Sequence, residues 1–564
     1  MILENIALAF GAVFELRNLI LMTLGVTAGL IAGSIPGFTI TMAVVLTLPF
    51  TFGLTAVEGL ATMIGVFVGG LSGGLMSGML TGIPGTPSSI ATTFDGFPLA
   101  RSGRPGYALG IGVWSSFFGG IFSAVLLVTL APRLATIGLE FGPWDYFALV
   151  LFALTITASL SGETLIKGII AGMLGLLVAT IGEDDVNGVE RFSFGNDMLA
   201  NGFSFLPVLI GLFAFSQLLS DIQDTETARK PLMEAGDAKG VKVEHWNAIK
   251  TIVKSWTNVV RSSLIGVFTG ILPAAGGSIS NILAYDQAKK ASKESDKFGT
   301  GHVDGIIAPE SANNATAGGA LITMMALGIP GDVVTAVMLG ALLIHNVQPS
   351  PTFIIDNPEL AYSIFIAFFL AHFIMIGMQS FCLRAFLLVV RIPMYTLACV
   401  ILVYCAIGVF ALNNIQDDIW TLFIFGIVGY GLRLLGFPLA PMILGVVLGH
   451  VAELNLNRAV TISTTGDQFL LDMITRPWSL FFLILASFSL MFPFYQKHRS
   501  SKTWTVFFPP LLVLALSIPM FMMDGMVRTV IAFGLIAIAG YLVVKAGRRG
   551  FRVDPDDTPL TPTA

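Results

Sequence analysis

The sequence predicts an all-α polytopic membrane protein made of two repeats with interrupted helices, and three observations predict it. Only 12% of the residues are charged while 55% are hydrophobic. A soluble domain carries about 25% charged residues and needs them to cover its surface. The apolar residues gather into runs of about 20 with few charges, the length that crosses a ~30 Å hydrocarbon core as helix. Segments broken by Gly and Pro then occur twice, in the same order along the chain.

The clearest runs are residues 107–130, 145–160, 199–219, 361–383, 478–494 and 504–522. None shows the alternating apolar and polar period of a transmembrane barrel, so helices are the spanning element, in about 12–14 membrane segments. Glycine is abundant, at 61 of 564 residues. In a membrane, glycine lets helix backbones approach closely. Gly25, Gly29, Gly33 and Gly37 share one small-residue face, as do Gly65, Gly69 and Gly73, and both faces are expected to pack helices.

The polar stretches set the topology. Residues 220–262 carry Arg229, Lys230, Lys239, Lys242, Lys250, Lys254 and Arg261; residues 289–302 add Lys289, Lys290, Lys293 and Lys297. Short basic loops stay cytoplasmic. Residues 263–285, apolar but broken at Pro273–Gly277, lie between two such loops and are expected to enter and return as a re-entrant hairpin. Irregular backbone at that depth must be covered by protein or line a cavity. Four regions follow: a first transmembrane repeat (1–220), a basic cytoplasmic loop (221–262), a second repeat (263–497), and a two-helix extension (498–564) with a basic tail of Lys545, Arg548, Arg549 and Arg552. The first apolar run has no basic n-region and no cleavage site, so it is expected to stay in the mature protein.

The duplication is legible residue by residue. Gly29-Leu-Ile-Ala-Gly33-Ser-Ile-Pro36-Gly37 matches Gly266-Val-Phe-Thr-Gly270-Ile-Leu-Pro273-Ala274, an offset of 237 (273 − 36). Gly73-Gly74 followed by Gly82-Ile-Pro84-Gly85 matches Gly318-Gly319 followed by Gly328-Ile-Pro330-Gly331, an offset of 246 (330 − 84). We read the repeats as inverted. Gly/Pro-interrupted segments at matching places in two halves point to a transporter's binding site.

Four segments are candidates for that site. The first holds Ser34, Pro36 and Gly37; the second holds Gly73, Gly74, Gly82, Pro84, Gly85, Thr86, Pro87, Ser88 and Ser89. The third holds Pro273, Gly276, Gly277 and Ser278, and the fourth Glu310, Asn313, Asn314, Gly318, Gly319, Gly328, Pro330 and Gly331. Proline removes a backbone donor and glycine supplies the turn. The half-helix that follows starts with free N–H groups, suited to carboxylate, while carbonyls at the preceding end suit Na+. Ser, Thr and Asn add donors and acceptors without a buried charge. No Arg or Lys lies in these segments. Glu310 is open to three roles: proton carrier, Na+ ligand, or helix cap. Asp95 and Asp332 read as interfacial caps, His345 as a satisfied packing residue and His302 as a loop residue.

Other chemistry finds little support. There is no HExxH, no Walker loop and no GxSxG, and the six His do not cluster at metal-ligand spacing. Cys382, Cys399 and Cys405 read as core residues. No basic patch accompanies stacking aromatics, which disfavours nucleic acid. The expectation is a protein that is not an enzyme and holds no cofactor; an anion channel with re-entrant selectivity loops is the alternative to a carrier.

Three blocks carry a family resemblance: GGLMSGMLTGIPGTPSSIATTFDGFPLARSG from Gly73, FGTGHVDGIIAPESANNATAGGALITMMALGIPGD from Phe298, and FPLAPMILGVVLGHVAELNLNRAVTIS from Phe437. Together they resemble the large membrane subunit of the tripartite tricarboxylate transporter family (TctA-like), from about residue 16 to about residue 496. The resemblance implies an inner-membrane carboxylate symporter driven by Na+ or H+. It implies a periplasmic solute-binding protein (TctC-like) and a small membrane subunit (TctB-like); a homodimer is expected by analogy with carriers that need a wide scaffold. Gly82 stands where Asn commonly precedes IPG, Ala274 replaces Gly, Thr323 replaces Pro and Ser350 replaces Gly, so citrate itself does not follow. Residues 504–545 extend beyond the family's expected end.

Overall fold

Apolar length decides which segments become helices in the computed structural model of the chain. It describes residues 2–160, 164–184, 188–223, 241–273, 276–347, 349–389, 394–463, 465–498, 502–548 and 550–551. Ala274 and Ala275 of the third segment, Arg229, Lys230 and Lys239 of the basic stretch, and Arg549 and Arg552 of the tail lie outside these residues. The helices are α1 (Ile2–Val13), α2 (Leu16–Ser34), α3 (Ile40–Thr51), α4 (Ala56–Thr81), α5 (Ile90–Arg101), α6 (Pro105–Gly138), α7 (Pro143–Leu160) and α8 (Leu165–Ala179). After them come α9 (Phe205–Ile222), α10 (His245–Lys254), α11 (Trp256–Ile271), α12 (Gly276–Ala291), α13 (Asp304–Leu327), α14 (Val333–Ile344) and α15 (Pro358–Val389). The rest are α16 (Met394–Asn413), α17 (Gln416–Leu434), α18 (Leu439–Ile462), α19 (Gly466–Thr475), α20 (Pro477–His498), α21 (Phe508–Met522) and α22 (Met526–Arg548).

Among the described residues, ten helices are long and apolar enough to cross a membrane, and four shorter apolar helices accompany them. Among the described residues, sheet is confined to one antiparallel pair, Gly182–Glu183 with Glu190–Arg191. The chain is an all-α multi-pass membrane protein. Two boundaries differ from the sequence reading. The run expected from residue 199 becomes α9 only at Phe205, because Gly202 (φ +71°) ends a short turn before it, and Gly211–Phe215 inside α9 form a π turn. The basic stretch is partly helical: in α10, Ala248 and Ile252 are buried four residues apart while Trp246 and Val253 face outward, the pattern of a helix lying along a surface.

The chain forms two compact units, one of residues 1–139 with 203–435, the other of 140–202 with 436–564. In the first, the duplicated segments build the same packing twice. A methyl group built on Gly29 of α2 would overlap the carbonyl oxygen of Val66 in α4; one built on Gly266 of α11 would overlap that of Ala312 in α13. Methyls on Gly33 and Gly270 would overlap the Gly70 and Thr316 oxygens. Those on Gly73 and Gly319 would overlap the Leu30 and Val267 oxygens and lie 3.0 Å from the Cα of Gly33 and of Gly270. Each second contact is the first shifted by 237 on one helix and 246 on the other. The two breaks also agree. A methyl on Gly85 would meet Gly33 O, Ser77 Oγ (2.7 Å) and Gly74 Cα (3.0 Å); one on Gly331 would meet Gly270 O, Thr323 Oγ1 (2.9 Å) and Ala320 Cα (2.6 Å). Only glycine permits helices this close.

The third segment folds back on itself. Ile265 of α11, before the break, and Ile282 of α12, after it, pack on one cluster with Ala308 and Ala312 of α13. In the second unit, α8 and α18 cross at Gly175 and Gly445, where a methyl on Gly175 would lie 3.0 Å from Gly445 Cα. Phe141, Phe152, Trp478 and Phe482 form an aromatic cluster there.

Candidate functional site

The first unit's second, third and fourth segments converge on α13. Its mid-helix polar residues are buried: Glu310, Ser311, Asn313 and Asn314 are 0% exposed. The Pro87–Ser89 turn begins on Pro87, whose fixed φ suits a first helical position. It places Thr86 Oγ1 3.1 Å from Ser88 Oγ and 3.3 Å from Ser89 Oγ. Gly74 lies directly beneath, and a methyl there would come within 2.6 Å of Ser89 Oγ.

Glu310 is held by hydroxyls. Thr92 Oγ1 donates to Oε1 at 2.6 Å and Ser116 Oγ to Oε2 at 2.7 Å. It sits in the second turn of α13, and neither oxygen caps a helix, which removes the capping role. Among the described residues no ion pair involves it. A buried carboxylate without a partner charge is costly, so it is stable only protonated or beside a bound cation. Asn281 ties α12 to this group: its Oδ1 accepts from Ala91 N at 2.8 Å and its Nδ2 donates to Thr92 Oγ1 at 3.5 Å.

Asn313 and Asn314 reach the other repeat. Ser72 Oγ donates to Asn314 Oδ1 at 3.1 Å, and Asn313 Nδ2 donates to Leu71 O at 3.1 Å. Asn313 Oδ1 accepts from no donor among the described residues. Thr316 Oγ1 donates to Ser280 Oγ at 2.7 Å. The sequence segments therefore bring Gly74, Thr86, Ser88, Ser89, Gly277, Glu310, Asn313 and Asn314 into one polar crossing.

Other candidates are engaged elsewhere. Ser34 Oγ donates back to Ile31 O at 2.6 Å. Gly73, Gly85, Gly319 and Gly331 pack helices, and a methyl on Gly318 would lie 2.5 Å from Ser123 Oγ. Gly82 (φ +81°) and Gly328 (φ +70°) cap α4 and α13 in the left-handed conformation. That conformation suits Gly or Asn, which accounts for the family's alternative residue at this place. Pro84 and Pro330 follow these caps, and Pro273 is buried ahead of α12, with Ser278 half-buried on its first turn. Gly37 (φ +87°) turns the chain beside Pro36, where a methyl would lie 3.9 Å from Asp221 Oδ1.

Among the outlying residues, Asp332 caps α14 through a capping box with Thr335. Asp95 is not a helix cap. Its Oδ1 accepts from the backbone of Gly299 (2.8 Å), Gly301 (2.8 Å) and His302 (2.7 Å), and Tyr285 donates to Oδ2 at 2.9 Å. It binds the basic loop to α5. His302 is in that loop. His345 packs on Gly59, and its buried Nε2 meets no partner among the described residues. Cys382 and Cys405 are buried but Cys399 is exposed on α16, so only two fit the core reading. Among the described residues no three His, Cys, Asp or Glu gather at metal-binding distance.

Sequence reasoning missed Thr92, Ser116, Asn281 and His372. Ser115-Ser116 is a polar pair inside the apolar run 107–130, and Asn281 follows Ser278 and Ser280; both signals were present. His372 Nδ1 donates to Phe368 O at 2.8 Å, and the ring is buried against Gly120 of α6; one histidine in an apolar run gave no pattern.

Comparison with known proteins agrees with this architecture. Residues 19–444 match the model of the family described as "Tripartite tricarboxylate transporter TctA family". The chain is 32% identical over 397 residues to the Agrobacterium vitis protein described as "Uncharacterized 52.8 kDa protein in TAR-I ttuC' 3'region", covering 70% of this chain and 77% of that one. It is 33% identical over 202 residues to "Uncharacterized protein in TAR-II ttuC' 3'region" of the same organism, covering 36% and 83%. No solved structure matches.

Proposed function

Because the chain belongs to the tripartite tricarboxylate transporter TctA family, and so is a tricarboxylate transporter subunit, we propose that it is the permease of a binding-protein-dependent secondary transporter. It imports tricarboxylates or dicarboxylates across the inner membrane on a Na+ or H+ gradient. A periplasmic solute-binding protein delivers the substrate and a small membrane subunit completes the complex.

The observation that carries this reading is a polar crossing, with its Glu310, Asn313 and Asn314 side chains 0% exposed, set between two copies of one glycine-packed scaffold. The N-terminus of α12 and the hydroxyls of Thr86, Ser88 and Ser89 supply donors for a carboxylate without a fixed positive charge. Glu310, buried beside hydroxyl donors, supplies the group whose charge a co-transported Na+ or H+ offsets. Inverted repeats flexing at Gly37, Gly85 and Gly331 open this crossing to each side in turn. A channel filter must stay open to water to conduct. Ser72, Ser89, Thr92, Glu310, Asn313 and Asn314, all 0% exposed, instead require a conformational change for access, which favours a carrier.

The test is uptake of radiolabelled di- and tricarboxylates into proteoliposomes holding this chain and its small partner, with and without the binding protein, under imposed Na+ or H+ gradients. Accumulation requiring a gradient and the binding protein supports the reading. Equilibration indifferent to both would overturn it in favour of a channel.

A further inference from the structure

We propose that Asn313 is a specificity-determining residue: its Oδ1 accepts a hydrogen bond from a substrate hydroxyl, so the site selects 2-hydroxycarboxylates over carboxylates lacking that group. The inference rests on the transporter reading above and narrows its substrate class.

The orientation of the Asn313 amide is fixed. Its Nδ2 donates to Leu71 O at 3.1 Å. Turning the amide over would set two oxygens against each other, so Oδ1 faces away from α4. The side chain is 0% exposed, yet Oδ1 meets no donor among the described residues. Buried acceptors are almost always satisfied, and one that is not calls for an explanation.

Oδ1 is aimed at a particular place. A methyl built on Gly277 would lie 2.6 Å from it and 2.8 Å from Ser88 Cβ. Gly277 is in the first turn of α12, a 16-residue helix starting at Gly276. The first N–H groups of a helix have no partner within it, and they favour an anion. The Asn281 side chain does not cap them, since its Oδ1 is taken by Ala91 N.

Backbone donors therefore stand next to one unpaired, uncharged acceptor. A plain carboxylate offers acceptors only: it satisfies the N–H groups and leaves Asn313 Oδ1 unpaired. A carboxylate with a hydroxyl on the adjacent carbon offers both, with acceptor and donor side by side. A monatomic cation is less suited to this position, because the helix terminus is itself positive. A site built to bond a substrate hydroxyl discriminates strongly against the analogue without it, since its own polar group is then stranded.

The test measures ligand-induced thermal stabilisation of the purified full-length chain. Malate is compared with succinate, and citrate with propane-1,2,3-tricarboxylate, at constant Na+. Wild type is expected to respond to the hydroxylated member of each pair at a concentration roughly tenfold lower or less. Asn313→Leu removes the acceptor and Gly277→Ala fills the space before it; both are expected to bring the ratio toward one. A purely structural role would weaken both ligands together and leave the ratio unchanged. Equal responses in wild type, or a preference kept by folded Asn313→Leu, overturn the proposal while leaving carboxylate transport intact. Stabilisation by Na+ alone that disappears in Asn313→Leu also overturns it, by making Oδ1 a cation ligand. If folded wild type responds to none of the four, both this proposal and the transporter reading fail.

Discussion

Gly29 and Gly266 occupy equivalent places in the two copies, and replacing each by alanine tests whether the copies bear equal loads. A methyl on Gly29 would overlap the Val66 carbonyl oxygen and lie 2.8 Å from Gly70 N and 2.9 Å from Val66 C. On Gly266 it would overlap the Ala312 oxygen and lie 2.9 Å from Ala315 Cβ and 3.0 Å from Ala312 C. The obstacle is backbone in both, so no side chain can swing aside, and the helices must separate by roughly 1 Å. Overpacking of this kind costs about 1–3 kcal/mol, a fall of roughly 1–3 °C in unfolding midpoint for a chain this long. Gly534→Ala is the control: nothing lies within 4 Å of a methyl there, and alanine favours helix by up to about 1 kcal/mol. Thermal unfolding of the purified protein, followed by loss of the monodisperse peak, measures all three. A wild-type midpoint for either glycine variant would refute the packing argument. A large difference between them would refute the equivalence of the copies.

Three further outcomes are expected. Asp95→Ala strands three backbone N–H groups and the Tyr285 hydroxyl; with about 1.5–3 kcal/mol per hydrogen bond to a charged group, it should expose residues 298–303 to limited proteolysis, whereas Tyr285→Phe should not. Glu310→Ala leaves the Thr92 and Ser116 hydroxyls without their acceptor, costing about 1–3 kcal/mol, while Glu310→Gln should fold nearly normally yet lose gradient-driven accumulation in vesicles. Glu140 lies outside the spans; burial raises its carboxyl, but donors from Arg528 and Trp478 outweigh this and hold it below its ordinary value of 4.5. A lowered carboxyl stabilises above its unfolded value and loses that contribution as pH falls through the folded one. Acidification below about pH 4.5 should therefore loosen α22 slightly, by under about 1 kcal/mol for so exposed a pair, and Glu140→Gln should abolish that pH dependence of hydrogen exchange in α22.

What could be read in the sequence followed from local rules. Apolar length gave the spans, and Gly/Pro breaks gave the segments meeting at α13. Spacing alone did not separate glycines of equal appearance. Gly73 and Gly74 are neighbours, yet Gly73 abuts the α2 backbone and Gly74 faces Thr86 and Ser89; one step around a helix turns a residue by about 100°, and only the partner's position shows which direction matters. Thr92 and Ser116 were missed for a related reason. They act through Glu310, 218 and 194 residues away, and a hydroxyl in an apolar run usually bonds its own helix. Thr157, donating to Ala153 O at 2.6 Å, does just that. Nothing local distinguishes it from Ser116.

The duplication copies a scaffold but only part of its chemistry, and this predicts a stoichiometry. At the offset of 246, Glu310, Asn313 and Asn314 correspond to Ile64, Phe67 and Val68, all buried in α4. Ser88 and Thr92 correspond to Val334 and Met338, and at the offset of 237 Gly277 corresponds to Ile40. The glycines that set helix spacing are common to both copies, since both helix pairs need the same close approach. The polar side chains are only partly shared: Thr86 and Ser89 keep polar counterparts in Asp332 and Thr335, whereas Glu310 and the amides of Asn313 and Asn314, buried groups that need partners, have apolar ones. Two functional crossings would give two carboxylates per chain; one polar crossing gives one. Equilibrium binding of a radiolabelled carboxylate to the purified chain should therefore saturate at one per polypeptide. Ser88→Val, which installs the residue of the other copy, should remove that binding, whereas Val334→Ser should leave it at one. A stoichiometry of two in wild type would mean that the other crossing also binds, and that side-chain chemistry at α13 does not decide where substrate sits.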